Sequence, residues 1–125
     1  MRVVVLAGLF FGACESDPMA LRVPSGEWGG QNIELQVTDL GASARFKCGA
    51  VGTLGQPLTL DGAAHFSVDG TYDPVLVLGG PRSAVYSGSL SGSHLLLTVT
   101  IGQDGLGPFD LAPGQAGAFS VCNFG

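Results

Sequence analysis

Three cysteines are the residues whose chemistry says most about where this chain works: Cys14, Cys48 and Cys122. Cysteines in an oxidising compartment tend to pair, so an odd number leaves one thiol for another use. We predict a Cys48–Cys122 disulfide, which would close a loop of about 73 residues and stabilise the fold by roughly 4 kcal/mol. The alternative is a cytosolic domain with two buried free thiols.

The residues that could carry catalysis are few and poorly arranged for it. The segment HFSVD holds His65, Ser67 and Asp69, but their spacing places all three on the outward face of one predicted strand, without a nucleophile elbow or an oxyanion feature. His94 stands beside a predicted turn. We therefore expect both histidines to be solvated surface residues and the protein not to be an enzyme.

Metal and phosphate chemistry find no support either. Zinc ligands come as paired Cys or His residues, and Cys48 and Cys122 each stand alone. Asp-Gly pairs begin at Asp61, Asp69 and Asp104, but no ladder of calcium ligands follows them, so they indicate turns. We expect no cofactor and no metal.

The charge balance excludes another class of partner. The 125 residues carry ten acidic and five basic side chains, a formal net charge of −5, and charged residues make up only 12% of the chain. A surface that follows nucleic-acid phosphates needs clustered Lys and Arg, so no nucleic-acid partner is expected. The domain is expected to be a monomer.

The amino-terminal segment MRVVVLAGLFFGAC has the layout of a secretory signal: one Arg, an uncharged apolar run and a small-residue exit. The apolar run is about half of a membrane span. Its last four residues, FGAC, resemble the lipobox of bacterial lipoproteins, a resemblance confined to this segment. It implies that residues 1–13 are a cleaved signal peptide and that Cys14 becomes the lipidated first residue of the mature protein.

Lipidation at Cys14 would anchor the chain stably, since more than one acyl chain is attached. The next residue is Glu15 rather than the Asp that often retains similar lipoproteins in the inner membrane, which favours the outer membrane. Residues 14–24 then form a flexible tether to a single β domain, residues 25–125. Cleavage by an ordinary signal peptidase is the alternative and would give a secreted or periplasmic soluble protein.

Alternating apolar residues predict short strands throughout the domain and almost no helix. In NIELQVTD the apolar positions are Ile33, Leu35 and Val37, and the next strand is expected to place Cys48 on the core face. A hairpin is predicted with its turn at Ser91 and Gly92. Further strands are predicted at PLTL, at HFSVDGTY, where Gly70 marks a bulge, and at the two final segments around 109–111 and 118–124.

Seven or eight short strands joined by short connections describe an antiparallel meander. Closure removes exposed strand edges without the charged edge residues that this chain lacks, so we predict a small closed barrel of the lipocalin or avidin type, with a β-sandwich as the alternative. Gly26-x-Trp28 resembles the motif at the first strand of lipocalins, which implies that Trp28 plugs one barrel end or borders a cavity. The domain also resembles small secreted bacterial all-β proteins of no assigned function that begin Gly-x-Trp-Gly-Gly.

Three functions are compatible with this sequence. The first is a non-enzymatic cell-envelope lipoprotein, held at the membrane by its lipid, whose β module contacts other envelope proteins or has a structural role. The second is a barrel that binds a small apolar ligand. The third is a periplasmic protease inhibitor, because LRVPSGEW resembles the amino-terminal arm and first strand of bacterial metalloprotease inhibitors, which are small single-disulfide barrels.

Overall fold

A computed structural model of the protein describes residues 21–75 and 80–122. Cys14 and the predicted signal peptide lie outside these residues. Eight strands run through the described part of the chain. They are β1 (Gly26–Gly30), β2 (Ile33–Thr38), β3 (Gly41–Phe46), β4 (Val51–Leu54), β5 (His65–Asp73), β6 (Arg82–Ser91), β7 (His94–Ile101) and β8 (Asp104–Pro113). A single 3-10 turn, Lys47–Gly49, separates β3 from β4.

The strands form a closed antiparallel barrel in the order in which they follow one another along the chain. Closure is made between the first and last strands, where Trp28 pairs with Pro113 and Gly29 with Ala112. The predicted meander and its closure into a barrel are therefore confirmed, and the β-sandwich alternative is excluded. No helix in the described residues has the length and apolar character needed to cross a bilayer.

Strict alternation of apolar and polar residues explains why these segments are strands and which face of each is buried. In β2 the side chains of Ile33, Leu35 and Val37 are buried, as predicted, while Gln36 is exposed. In β7 the same alternation buries Leu95 and Leu97. The inward side chains of the barrel meet in one apolar core, in which no polar or charged residue of the described chain is buried.

Two of the predicted strands are wrong, and two observed strands were not predicted. The segment around Leu58 is buried but forms only an isolated bridge, and residues 118–122 form one bridge rather than a strand. The two strands that were not predicted are β1 and β4. Trp28 lies within β1 instead of ahead of the first strand. Strand β4 has Gly52 at an inward position, so its sequence lacks a clear apolar alternation. Strand β5 runs through Gly70 in continuous register with both neighbours, without the predicted bulge.

The predicted Cys48–Cys122 disulfide is present, with 5.4 Å between the two Cα atoms. The expected position of Cys48 on the core face is wrong. Strand β3 ends at Phe46, and Cys48 adopts a left-handed backbone conformation with φ of 67° in the following turn, where it is exposed. The half-cystine is therefore directed along the outside of the barrel toward the carboxyl-terminal segment.

Residues 21–24, assigned from the sequence to the tether, pack against the barrel. Val23 is buried, and its backbone N–H donates to the carbonyl of Leu58 at 3.0 Å. The carbonyl of Leu21 accepts from the N–H of Leu60 at 2.8 Å. The packed domain thus includes this short arm, four residues ahead of Ser25.

Candidate contact surface on the outside of the barrel

Trp28 is a buried side chain of β1 that bonds to the amino-terminal arm. Only 2% of its surface is exposed, and its indole Nε1 donates a hydrogen bond to the carbonyl of Pro24 at 2.9 Å. A buried indole needs such a partner for its N–H. The arm and the Trp28 ring therefore stabilise each other, and the ring belongs to the same core cluster as Val23 of the arm.

The middle of the interior is occupied by Tyr86. Its side chain is fully buried, and its hydroxyl donates to the carbonyl of Thr71 at 2.7 Å. Burial, with a smaller effect of Tyr72, raises the pKa of Tyr86 far above its ordinary value. The ring lies over the inner face of β5 and reaches β4, because a side chain at Gly70 would crowd the Tyr86 ring and one at Gly52 would overlap its hydroxyl. The buried side chains of the described barrel are thus apolar and form one core.

A shallow concave surface lies on the outside of the sheet. It is a groove of about 770 Å³ across the outward face of β5, β6 and β7, with Thr59 and Leu60 on one side and Pro108 of β8 on the other. We call it the outer groove. Its floor carries the side chains of His65, Ser67, Ser87, Ser89, Leu96 and Thr98.

A bulge in β8 builds one rim of the outer groove. Leu97 pairs with Phe109 and Val99 with Leu106, so Gly107 and Pro108 together face the single residue Thr98. Proline has no N–H for the ladder and is therefore placed at bulges and edges. The extra residue displaces β8 locally and sets Pro108 beside the groove.

The floor consists of two rows of paired residues. Ser67, Ser87 and Thr98 lie directly opposite one another across three strands. His65, Ser89 and Leu96 form the second row. All six are outward positions of their strands, and most carry a small or hydroxyl-bearing side chain, which leaves the surface concave.

The histidines lie where the sequence placed them, on the outer surface. The Nδ1 atom of His94 is 2.9 Å from Oδ1 of Asp110, and both side chains are about 60% exposed. His65 lines the outer groove, and its backbone N–H donates to the carboxylate of Asp61. Within the described residues no three His, Cys, Asp or Glu side chains are grouped as a metal site would require.

The carboxyl-terminal residues 114–122 form a second surface feature, which we call the strap. It crosses the outer face of β1 and β2, where the carbonyl of Gly30 accepts from the N–H of Ala118 at 3.0 Å. A side chain at Gly29 would overlap the strap backbone, so the glycine permits this close approach. The Cys48–Cys122 disulfide fixes the end of the strap.

Glu34 fastens the middle of the strap. Its carboxylate accepts the N–H of Gly117 at 3.1 Å and lies 3.7 Å from the Arg45 guanidinium, with 11% of the side chain exposed. The guanidinium stacks over the ring of Phe119 at 5.2 Å. The hydrogen bond from Gly117 lowers the pKa of Glu34, while a hydrogen bond shared with Glu34 raises the pKa of Glu27.

We expect the Gly117 amide to report the titration of Glu34. The pKa of Glu34 in the folded protein is below the ordinary 4.5, so the charged carboxylate stabilises the packing of the strap against the barrel. This contribution to stability is lost as the pH falls through the folded-state pKa. The amide proton of Gly117 should therefore shift upfield in NMR spectra with a midpoint below 4.5, and Glu34→Gln should abolish the transition. A Gly117 amide that stays constant between pH 6 and 2.5, roughly the range in which carboxylates titrate, would contradict the bond.

Sequence reasoning missed both the outer groove and the strap. Serines at outward positions of β5 and β6 indicate only a solvated face, since the pairing that makes rows of them is not visible along the chain. The useful signal was Pro108 inside an otherwise strand-like segment, which marks a bulge. For the strap, Cys122 after the last strand was the signal, because its partner requires the chain to turn back.

Comparison of the chain with protein-family models, with curated proteins and with solved structures finds no match.

Proposed function

We propose that this protein is a non-enzymatic lipoprotein of the bacterial cell envelope, anchored through Cys14, whose β barrel acts by contacts made on its outer surface. The observation that carries the proposal is the division between inside and outside. The inward side chains of the described barrel, such as Tyr86 and Leu97, are buried in one apolar core, while a concave surface that carries polar side chains lies on the outer face. Binding by such a barrel takes place at its exterior.

The disulfide supports an extracytoplasmic location. Disulfides persist in oxidising compartments and are rare in the cytosol. Pairing of Cys48 with Cys122 uses both cysteines of the barrel domain and leaves Cys14 as the third thiol. Its position directly after an apolar segment and two small residues supports acylation.

The other two functions fit the structure less well. A ligand-binding barrel needs space inside, and the inward side chains of the described strands, Tyr86 among them, pack together in one apolar core. An inhibitor that uses its amino-terminal arm needs that arm free, whereas Val23 is buried and bonded to Leu58. Both side chains of the His94–Asp110 pair are about 60% exposed, so water is not excluded from them, which supports the non-enzymatic assignment.

Mass spectrometry of the protein from a membrane fraction tests the proposal. We expect an amino-terminal Cys14 that carries a thioether-linked diacylglycerol and an acylated amine, and we expect Cys14→Ser to move the protein to the soluble fraction. Ser16→Ala is the matched control and should remain with the membrane. A mature chain that begins at another residue, or an apolar molecule retained by the native protein, would overturn the proposal.

A further inference from the structure

We infer that the outer groove binds a neutral saccharide chain. The inference deepens the proposed function, on which it rests for the exterior as the binding face, by naming the class of ligand. It does not depend on the lipid at Cys14. Three properties of the groove carry it: rows of hydroxyl groups, a floor whose acidic and basic side chains lie only at one end and beside an apolar platform, and the absence of a strand edge beside it.

The hydroxyl groups are spaced by the sheet itself. Ser67, Ser87 and Thr98 occupy one cross-strand row, so neighbouring hydroxyls are separated by about the 4.8 Å between strands. Ser89 in the second row is two residues further along β6, about 7 Å away. A chain of sugar units offers hydroxyls at a comparable repeat, and each can act as donor and acceptor with a serine or threonine.

The floor of the groove is uncharged at its centre. Asp61 lies at the edge, where its carboxylate accepts the backbone N–H groups of Ala63 and His65 at 2.8 and 2.9 Å. The bond from His65, which has the larger effect, and the bond from Ala63 lower the pKa of Asp61. The carboxylate is therefore already hydrogen-bonded within its own turn. An ionic ligand would find no opposite charge on the row of Ser67, Ser87 and Thr98, since His65 and Asp61 lie at one end of the groove.

An apolar platform lies beside the hydroxyls. Leu96 is 45% exposed at the end of the second row, and Pro108 stands at the rim. The C–H face of a sugar ring can cover such a surface while its hydroxyls reach Ser87 and Ser89. A sugar ring combines an apolar C–H face with polar hydroxyls, so an apolar platform beside hydroxyl side chains suits it.

The barrel closure favours a saccharide over an extended peptide. Peptides commonly bind to sheets by adding a strand to a free edge, where the backbone supplies the hydrogen bonds. Strands β5, β6 and β7 are each paired on both sides, so only side chains face the groove. Recognition by hydroxyl side chains alone matches a ligand that is itself a row of hydroxyls.

NMR titration of the 15N-labelled protein tests the inference. Chitotetraose and maltohexaose, two neutral oligosaccharides, are added separately, and a neutral Ala/Ser decapeptide is the comparison ligand. We expect at least one saccharide to shift the amides of β5, β6 and β7 around Ser67, Ser87 and Thr98. Ser87→Phe, which fills the groove, should abolish the shifts, and Ser67→Ala should weaken binding roughly two- to tenfold by removing one hydrogen bond.

Ser43→Phe is the matched control, because Ser43 is an exposed outward residue of β3 on another part of the barrel. It should leave saccharide binding unchanged. No shift with either saccharide, shifts away from the groove, or a response to the decapeptide in place of the saccharides would overturn the inference. The titration is repeated with Cys14→Ser, so that a failure of the anchor and a failure of saccharide binding are recognised separately.

Discussion

Replacing both Cys48 and Cys122 by serine should lower the free energy of unfolding by about 4 kcal/mol. The two residues are 74 apart in the sequence, so the disulfide removes much of the freedom of the unfolded chain. The size of the effect follows from loop closure, because both half-cystines lie outside the core: Cys48 is exposed and Cys122 is only half-buried. Urea unfolding followed by far-ultraviolet circular dichroism measures it.

Phe119→Ala is the control for this prediction. It weakens the strap beside Arg45 while the covalent loop stays closed, so we expect a loss of no more than about 1 kcal/mol. If the double serine variant lost as little as Phe119→Ala, the stabilisation would come from strap contacts and not from closure of the loop. Reduction of the unaltered protein should reproduce the double variant.

Trp28→Ala should destabilise the barrel by about 3–5 kcal/mol, the usual result of removing a large buried aromatic ring. The ring is 2% exposed, and its loss would leave a cavity beneath the amino-terminal arm. Trp28→Phe keeps most of the ring and loses the bond to the Pro24 carbonyl, so a smaller loss of about 0.5–1.5 kcal/mol is expected. Trp28 is the only tryptophan, so its replacement removes the tryptophan fluorescence that could otherwise follow unfolding. Circular dichroism is therefore again the measurement.

Leu40→Ala provides the comparison for Trp28. Leu40 is also apolar, but it is 80% exposed at the turn between β2 and β3, so its removal should change stability by less than about 0.5 kcal/mol. Equal effects of Trp28→Ala and Leu40→Ala would mean that the indole is not a core side chain. Faster amide exchange at Val23 in Trp28→Ala would show that the arm loosens with the ring.

The barrel could be predicted from the sequence because its information is local. Alternation at Ile33, Leu35 and Val37 sets the buried face of β2, and the same signal recurs in β7. Short connections such as Gly92 and Ser93 then leave antiparallel neighbours as the simplest arrangement. The observed eight strands agree with the predicted seven or eight, although two of the predicted strands do not form.

What could not be predicted depends on contacts between distant segments. Leu58 alternates like a strand residue and is buried. Its segment forms no strand, because its only β-bridge in the described chain joins Thr59 to Arg22 of the arm. Strand β4 could not be recognised from its sequence, because Gly52 stands at an inward position where an apolar side chain would be expected. The glycine makes room for Tyr86 of β6. The strap needs Glu34, Arg45 and Cys48 from three places in the chain, and none of these positions is special when read alone.

The outer groove shows the same limit for a candidate site. Ser67 and Ser87 become one row only through the register of β5 with β6, and Thr98 joins them through β7. A change of register by one residue would turn these hydroxyls inward. Local patterns predict which face of each strand is polar, and the pairing decides which polar groups act together.

The position of the disulfide also determines how the molecule responds to mechanical tension. When Leu21 is pulled away from Cys122, the covalent path runs from Leu21 to Cys48 and then through the disulfide to Cys122. The bonds of the arm to Leu58 and Leu60 and the pairing of β1 with β8 must break first, after which the segment from Leu21 to Cys48 can be drawn out to roughly 90–100 Å. The chain between Cys48 and Cys122, which contains the strands of the outer groove, cannot be extended while the disulfide is intact.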